Sequence, residues 1–247
     1  MNDPWHGLRR FTQARIALGR AGSGVTTAAY LEFQLAHAGA RDAVQQTWNV
    51  DDFAEQLQQQ SLAHIRLNTP VIDRTHYLRR PDLGRRLDDD SLQRLKQVAE
   101  PGFDVAIVIS NGLSSTAVET HGMPLLQRIV ARYTEMQLSI APICLLPNAR
   151  VAISDPIGAL LHARLSVIVV GERPGLSAAD SLGVYMTYAP REGNTDAERN
   201  CLSNIRPPDG LSYEAAAQKL AYLSREALRS GISGVLLKDD MPKRLLG

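Results

Sequence analysis

"RLSVIVVGERPGLS", residues 164–177, holds an apolar run interrupted only by Ser166, followed by a turn carrying Glu172, Arg173, Pro174 and Gly175. A near-continuous apolar run of this length is the pattern of a strand covered on both faces. Two other runs share it: "FDVAIVIS" (103–110) and "QLSIAPICLLP" (137–147). Helices fit between them. Ser114 or Ser115 can cap "STAVETHGMPLLQRIVARYTEM", and Asp155 with Pro156 can open "PIGALLHAR". Strands alternating with helices imply a mostly parallel, Rossmann-like α/β sheet with crossover helices on its flanks. In such sheets ligands bind beyond the carboxyl ends of the strands. Three turns then share one edge, "SNGLSST", "PNARVAISD" and "GERPGLS", and together form a candidate ligand rim. The pair Glu172 and Arg173 admits two readings, a turn closed in water or a contact with a ligand; the bracketing Gly171 and Gly175 suit either.

Outward from this core the chain changes style. Residues 26–47, "TTAAYLEFQLAHAGARDAVQQT", set Ala29, Leu31, Phe33, Leu35 and Ala36 on an apolar stripe closer to helical than to strand period, and residues 51–65 continue in the same way. "NTPVIDRTHYLRRPDLGRRLDDDSL" then breaks the pattern with Pro70, Pro81 and Gly84, leaving Asp90 or Ser91 to cap the next helix. The organisation expected is therefore an N-terminal helical extension with an Arg-rich loop (1–100) and an α/β domain (101–247). "YEAAAQKLAYLSREALRSG", capped by Ser212 and stopped by Gly231, is the last helix expected.

With 247 residues the chain can bury one sizeable core. A net charge of +1, with 21% charged residues, lacks the basic excess of a protein held by phosphate backbones, so nucleic acid is not the expected partner. Two cysteines, Cys144 and Cys201, without CxxC spacing argue against a disulfide framework and for a reducing cytoplasm. No apolar run approaches the roughly 20 residues that span a bilayer, and the N-terminus lacks the apolar core of a secretory signal.

Self-sufficient catalytic chemistry is also missing. "GLSST" is not GxSxG, and "GRAGSGVTT" lacks the lysine and preceding strand of a phosphate loop. The six histidines form neither HExxH nor a His-Cys set, so no metal held by protein side chains is expected. Arg79, Arg80, Arg85 and Arg86 around "RRPDLGRR" read equally as an anion grip or a solvated loop. Thr195 and Glu198 have capping-box spacing, and Cys201, expected near a helix or turn, reads as a small apolar contact.

Taken in order, "ARIALGRAG" (14–22), "YLRRPDLGRRL" (77–87), "VISNGLSSTAV" (108–118), "VVGERPGLSAADSLGVYMTY" (169–188) and "TDAERNCLSNI" (195–205) resemble the successive signature stretches of the ethanolamine ammonia-lyase small subunit, across nearly the whole chain. The resemblance implies a lyase subunit inactive without its large partner, with adenosylcobalamin bound between the two, ethanolamine converted to acetaldehyde and ammonia by a radical mechanism, and no catalytic residue on this chain. It carries the corrinoid contacts onto Val151, Glu172 and Cys201. No DxHxxG motif occurs around His76 or His121, so the cofactor is expected to keep its own base on cobalt. The alternative is a non-catalytic corrinoid- or nucleotide-binding α/β carrier or sensor. The family-like pattern begins by Arg9, without most of the extension that in this family is associated with a protein-shelled bacterial microcompartment; the location expected is cytoplasmic, with that microcompartment as the alternative.

Overall fold

The computed structural model describes residues 5–241; the first four and last six residues, at the outer ends of the two expected regions, lie outside it. In chain order the elements are α1 (Thr27–Gln45), α2 (Val50–Gln59), β1 (His64–Arg66), α3 (Arg74–Arg79), α4 (Asp89–Gln97), β2 (Val105–Ser110), α5 (Ser115–Ala117), a π-helical turn (Val118–Gly122), α6 (Met123–Glu135), β3 (Ile143–Leu145), α7 (Ser154–Leu160), β4 (Leu165–Gly171), β5 (Leu182–Tyr188), β6 (Arg199–Ile205) and α8 (Tyr213–Ser230). The strands form one six-stranded sheet in the order β1-β3-β2-β4-β5-β6. β1, β3, β2 and β4 pair in parallel, while β5 is antiparallel to both β4 and β6. Helices cover both faces, as alternation within the buried strands requires. Val105, Ile107 and Ile109 join Leu125, Leu126 and Tyr133 of α6, Leu220 and Leu223 of α8, and Phe53 and Leu57 of α2. Ala106 and Val108 face the opposite side, with Leu95 of α4 and Ile157 of α7. Each fully buried large aliphatic contributes about 1.5–3 kcal/mol, so these two layers dominate the stability.

The chain leaves β2 through α6 to reach β3 on one side, then crosses by α7 on the other face to β4 on the far side of β2. That change of direction places a crevice at the carboxyl ends of β2, β3 and β4.

Several local expectations are corrected. Residues 182–188, to which the sequence reading assigns no element, form β5, and Cys201 lies within β6, shortly after the 3-10 turn Asp196–Glu198. β6, buried along "RNCLSNI" only at Arg199, Leu202 and Ile205, is a half-covered edge strand held by its pairing to β5. The helical pattern read over 51–65 ends at Gln59, and His64–Arg66 becomes the opposite edge strand. Asp88, not Asp90 or Ser91, caps α4, its carboxylate accepting from Ser91 N at 2.7 Å. Asp155 does not cap α7; it is buried and ion-paired to Arg199. Thr195 and Glu198 do form a capping box, and Ser212 and Gly231 bound α8 as expected. On α1 only Ala29 and Ala43 are buried, while Leu31 and Leu35 of the expected apolar stripe are exposed.

Candidate functional site

The three strand-end turns meet. Gly112 and Leu113 after β2, Ala149, Arg150 and Val151 after β3, and Gly171, Glu172 and Arg173 after β4 line one cleft of about 460 Å³, with Tyr77, Tyr185 and Ser203. A larger cleft, about 680 Å³, lies between α6 and α8 and involves none of these turns.

Hydrogen bonds sew the turns together. Ser110 Oγ accepts from Gly112 N at 3.2 Å and from Ala149 N at 3.1 Å, and Asn111 Oδ1 accepts from Asn148 N at 2.7 Å. Leu113 N donates to the Gly171 carbonyl at 2.9 Å, and Ser114 Oγ donates to the Ala179 carbonyl at 2.8 Å. Glycine is required where the first and third turns touch. Gly112 has φ +48°, and a Cβ there would run into Val170 and the Gly171 carbonyl; a Cβ on Gly171 would strike the carbonyls of Asn111 and Ser114. The serines of "GLSST" are structural: both are fully buried, Ser114 caps α5, and Ser115 Oγ donates to the Gln46 carbonyl at 2.6 Å.

Glu172 stands at the mouth with its carboxylate turned over β5 and β6. It accepts from Ser203 Oγ at 2.5 Å on Oε1, and from Ser181 Oγ at 2.8 Å and Asn204 N at 3.1 Å on Oε2. Among the described residues no cation pairs with it, Arg173 included. A carboxylate has about four acceptor positions, so Oε1 retains one toward the cleft. Val151 lines the same cleft, and Cys201 adjoins it: Cys201 is register-paired with the cleft residue Tyr185. Desolvation raises the Cys201 pKa, the Tyr185 hydroxyl opposes this, and the charge of Glu172 adds to it. Cys201 is therefore a neutral thiol at neutral pH, suited to contact and not to nucleophilic attack.

Other candidates fall away from the cleft. His121 is buried, with Nε2 3.0 Å from Asp180 Oδ2 and Nδ1 2.7 Å from the Tyr213 hydroxyl. His76 Nδ1 accepts from Ile72 N at 3.2 Å. No histidine lines the cleft, and among the described residues no group of three or more His, Cys, Asp or Glu side chains is arranged to hold a metal. Nor is any described helix long and apolar enough to cross a membrane. Arg150, Tyr77, Ser181 and Ser203 are site residues that sequence reading did not single out. Arg150 had a signal, lying beside Val151 in a turn assigned to the rim; Tyr77 sits at the start of the stretch 77–87, but its place at the rim depends on α3, which brings it to Ala149 from 72 positions away.

Comparison with known proteins bears on this geometry. A family model described as ethanolamine ammonia-lyase light chain matches residues 2–238. The chain is 50% identical over 248 residues to an ethanolamine ammonia-lyase small subunit of Xanthomonas campestris pv. campestris, covering 99% of this chain and 91% of that protein. It is 53% identical over 241 residues to one of Azotobacter vinelandii (96% and 89% covered), and 49% identical over 241 residues to one of Pseudomonas fluorescens (96% and 88% covered). With the match spanning nearly the whole chain at half identity, the chain belongs to the ethanolamine ammonia-lyase small-subunit family.

Proposed function

We propose that the chain, as the small subunit of an ethanolamine ammonia-lyase, joins a large catalytic subunit and forms one wall of an adenosylcobalamin site, through Val151, Glu172 and Cys201. When bound, adenosylcobalamin supplies the radical chemistry that converts ethanolamine to acetaldehyde and ammonia. The observation that carries the reading is the cleft where three strand-end turns meet beside an unpaired carboxylate. The residues suit a corrinoid. Corrin side-chain amides are donors, and Glu172 keeps an acceptor position with no cation competing for it. Val151 and the neutral Cys201 offer apolar contact to a macrocycle edge. No imidazole of the cleft reaches toward a metal, which favours a cofactor that keeps its own base. Strand order and a site at the carboxyl ends of β2, β3 and β4, where the connections change direction, support a Rossmann-like reading of the sheet.

Residues 6–45 we read as an N-terminal helical arm. Its exposed Phe11, Leu31 and Leu35 are the surface we assign to the large subunit. Cytoplasmic placement, or a microcompartment, belongs to the same reading.

The test is reconstitution. Adenosylcobalamin-dependent ammonia release is expected from the chain mixed with its large subunit and from neither alone; corrinoid binding without turnover in the mixture would instead favour a carrier or sensor. Glu172→Ala should raise the apparent cofactor constant about ten- to a hundredfold, since a hydrogen bond to a charged group contributes about 1.5–3 kcal/mol. The constant for ethanolamine should hold. Glu172→Gln is not innocuous: its amide nitrogen would face Ser181, Ser203 or Asn204, all of which now donate to the carboxylate. A cofactor constant that stays put while the ethanolamine constant climbs would remove Glu172 from the corrinoid wall.

A further inference from the structure

The same cleft is also lined by a basic side chain, Arg150, with Arg74 close behind it. Arg150 and Arg74 both lie against the Tyr77 ring, their guanidinium carbons 4.6 and 5.0 Å from its centroid. Tyr77 is fully buried, and its hydroxyl donates to the Ala149 carbonyl at 2.9 Å, so it is anchored and neutral. Arg74 donates only to neutral acceptors: the Val44 and Gly112 carbonyls, each at 2.7 Å, and Asn148 Oδ1 at 3.0 Å. No carboxylate among the described residues lies within ion-pair distance of either guanidinium. Arg74 Nη2 and Arg150 Nε are buried without a hydrogen-bond partner. Burial lowers the Arg74 pKa, Tyr77 opposes this and the charge of Arg150 adds to it.

Two guanidiniums gathered at a cleft without a counter-charge cost stability unless something negative joins them. The chain nonetheless holds Arg150 there firmly. Its backbone N–H donates to the Gly84 carbonyl at 2.7 Å, and a Cβ on Gly84 would come within 2.9 Å of the Asn148 carbonyl and 3.2 Å of Arg150 Cγ. The Arg-rich turn thus presses on the Arg150 stem and fixes its direction. Stacking on an aromatic face leaves a guanidinium edge free to donate, and that planar fork matches phosphate oxygens.

We infer that Arg150, backed by Arg74 on the same Tyr77 ring, is a subsite for the phosphodiester that links the corrin ring of a cobalamin to its nucleotide. This rests on the corrinoid reading above. It completes the chemistry of the cleft: Glu172 accepts from amide donors, and Arg150 donates to an anion.

Equilibrium dialysis of the complex with its large subunit tests it, reading corrin absorbance with three probes: cyanocobalamin, cobinamide phosphate, and dicyanocobinamide, which has no phosphate. Arg150→Ala should weaken binding of both phosphate-bearing probes about ten- to a hundredfold and leave dicyanocobinamide unchanged. Arg150→Lys, keeping a point charge without the fork, should recover part of the loss. Equal weakening of all three probes would mean that Arg150 supports only the shape of the cleft, and loss confined to cyanocobalamin would mean that it reads the base; either overturns the inference. No change with any probe overturns it as well. If the unaltered complex retains no corrinoid at all, the corrinoid reading itself fails, a result distinct from those three. Gel filtration of each variant with the large subunit confirms that assembly is intact.

Discussion

Leu126 in α6 and Leu35 in α1 are the same residue on helices of the same chain, yet one is fully buried and the other 76% exposed. α6 packs into a core shared with α8 and the sheet. α1, longer at 19 residues, buries two alanines and leaves Leu31, Leu35 and most of Tyr30 in the open. Hydrophobic periodicity reports that a helix has a face to cover, not that its own chain covers it. The sheet and its flanking helices cover their own apolar faces, whereas α1 leaves Leu31 and Leu35 exposed.

The largest effect that would sharpen this contrast lies inside the sheet and its helices. Asp155 and Arg199 are 2% exposed and ion-paired. Asp155→Ala leaves the buried Arg199 guanidinium with only the exposed Asp196 carboxylate, 3.0 Å away, as counter-charge, and should destabilise the isolated chain by up to about 3–5 kcal/mol, read by urea denaturation. An unaltered midpoint would mean that the pair is better solvated than its burial implies.

Next comes the arm. Leu31→Asp with Leu35→Asp should shift the stability of the isolated chain by less than about 0.5 kcal/mol per site. Association with the large subunit should weaken by at least about 1.5–3 kcal/mol, the contribution of one buried leucine, or about ten- to a hundredfold. If the same pair unfolds the chain alone, or leaves assembly untouched, the contrast between the two regions collapses.

The smallest effect is acidic. Burial pushes the Asp104 carboxyl up, but the Ser139 backbone N–H, the Arg164 guanidinium and the Ser139 hydroxyl together outweigh it and hold the pKa below the ordinary value. A depressed carboxylate contributes stability that is fully present above its unfolded pKa and lost as pH falls through the folded one. Thermal midpoints should therefore drop as pH goes below about 4, and Asp104→Asn should flatten part of that slope. A steeper slope in the variant would reverse the sign.

How far the sequence could be read follows from which residues carried their own signal. The apolar runs of β2 and β4 are visible because strands covered on both faces need no partner to be recognised, and Ser114, Ser212 and Gly231 mark helix ends by local chemistry alone. β6 was illegible: Arg199, Asn200, Ser203 and Asn204 are polar, and only the ladder to β5 makes them a strand. β1 is three residues long and gains its identity from β3. At the site, the turn bearing Glu172 could be found because it follows a buried strand. That its carboxylate is engaged by Ser181 and Ser203 could not, since Ser203 comes from a strand 31 positions on.

The parallel strands β2, β3 and β4 with their crossover helices, the meeting edge of three turns and the family of the chain were thus written into the linear pattern, because apolar periodicity, capping residues and glycine-bearing turns act over a few neighbouring positions. The tertiary structure alone decided that Arg150 and Arg74 share the Tyr77 ring with no carboxylate among the described residues in ion-pair range, and that Leu31 and Leu35 of α1 stay exposed. Charge pairing and burial are settled by neighbours brought from 30 to 74 positions away, and no local pattern records which of those neighbours will be missing.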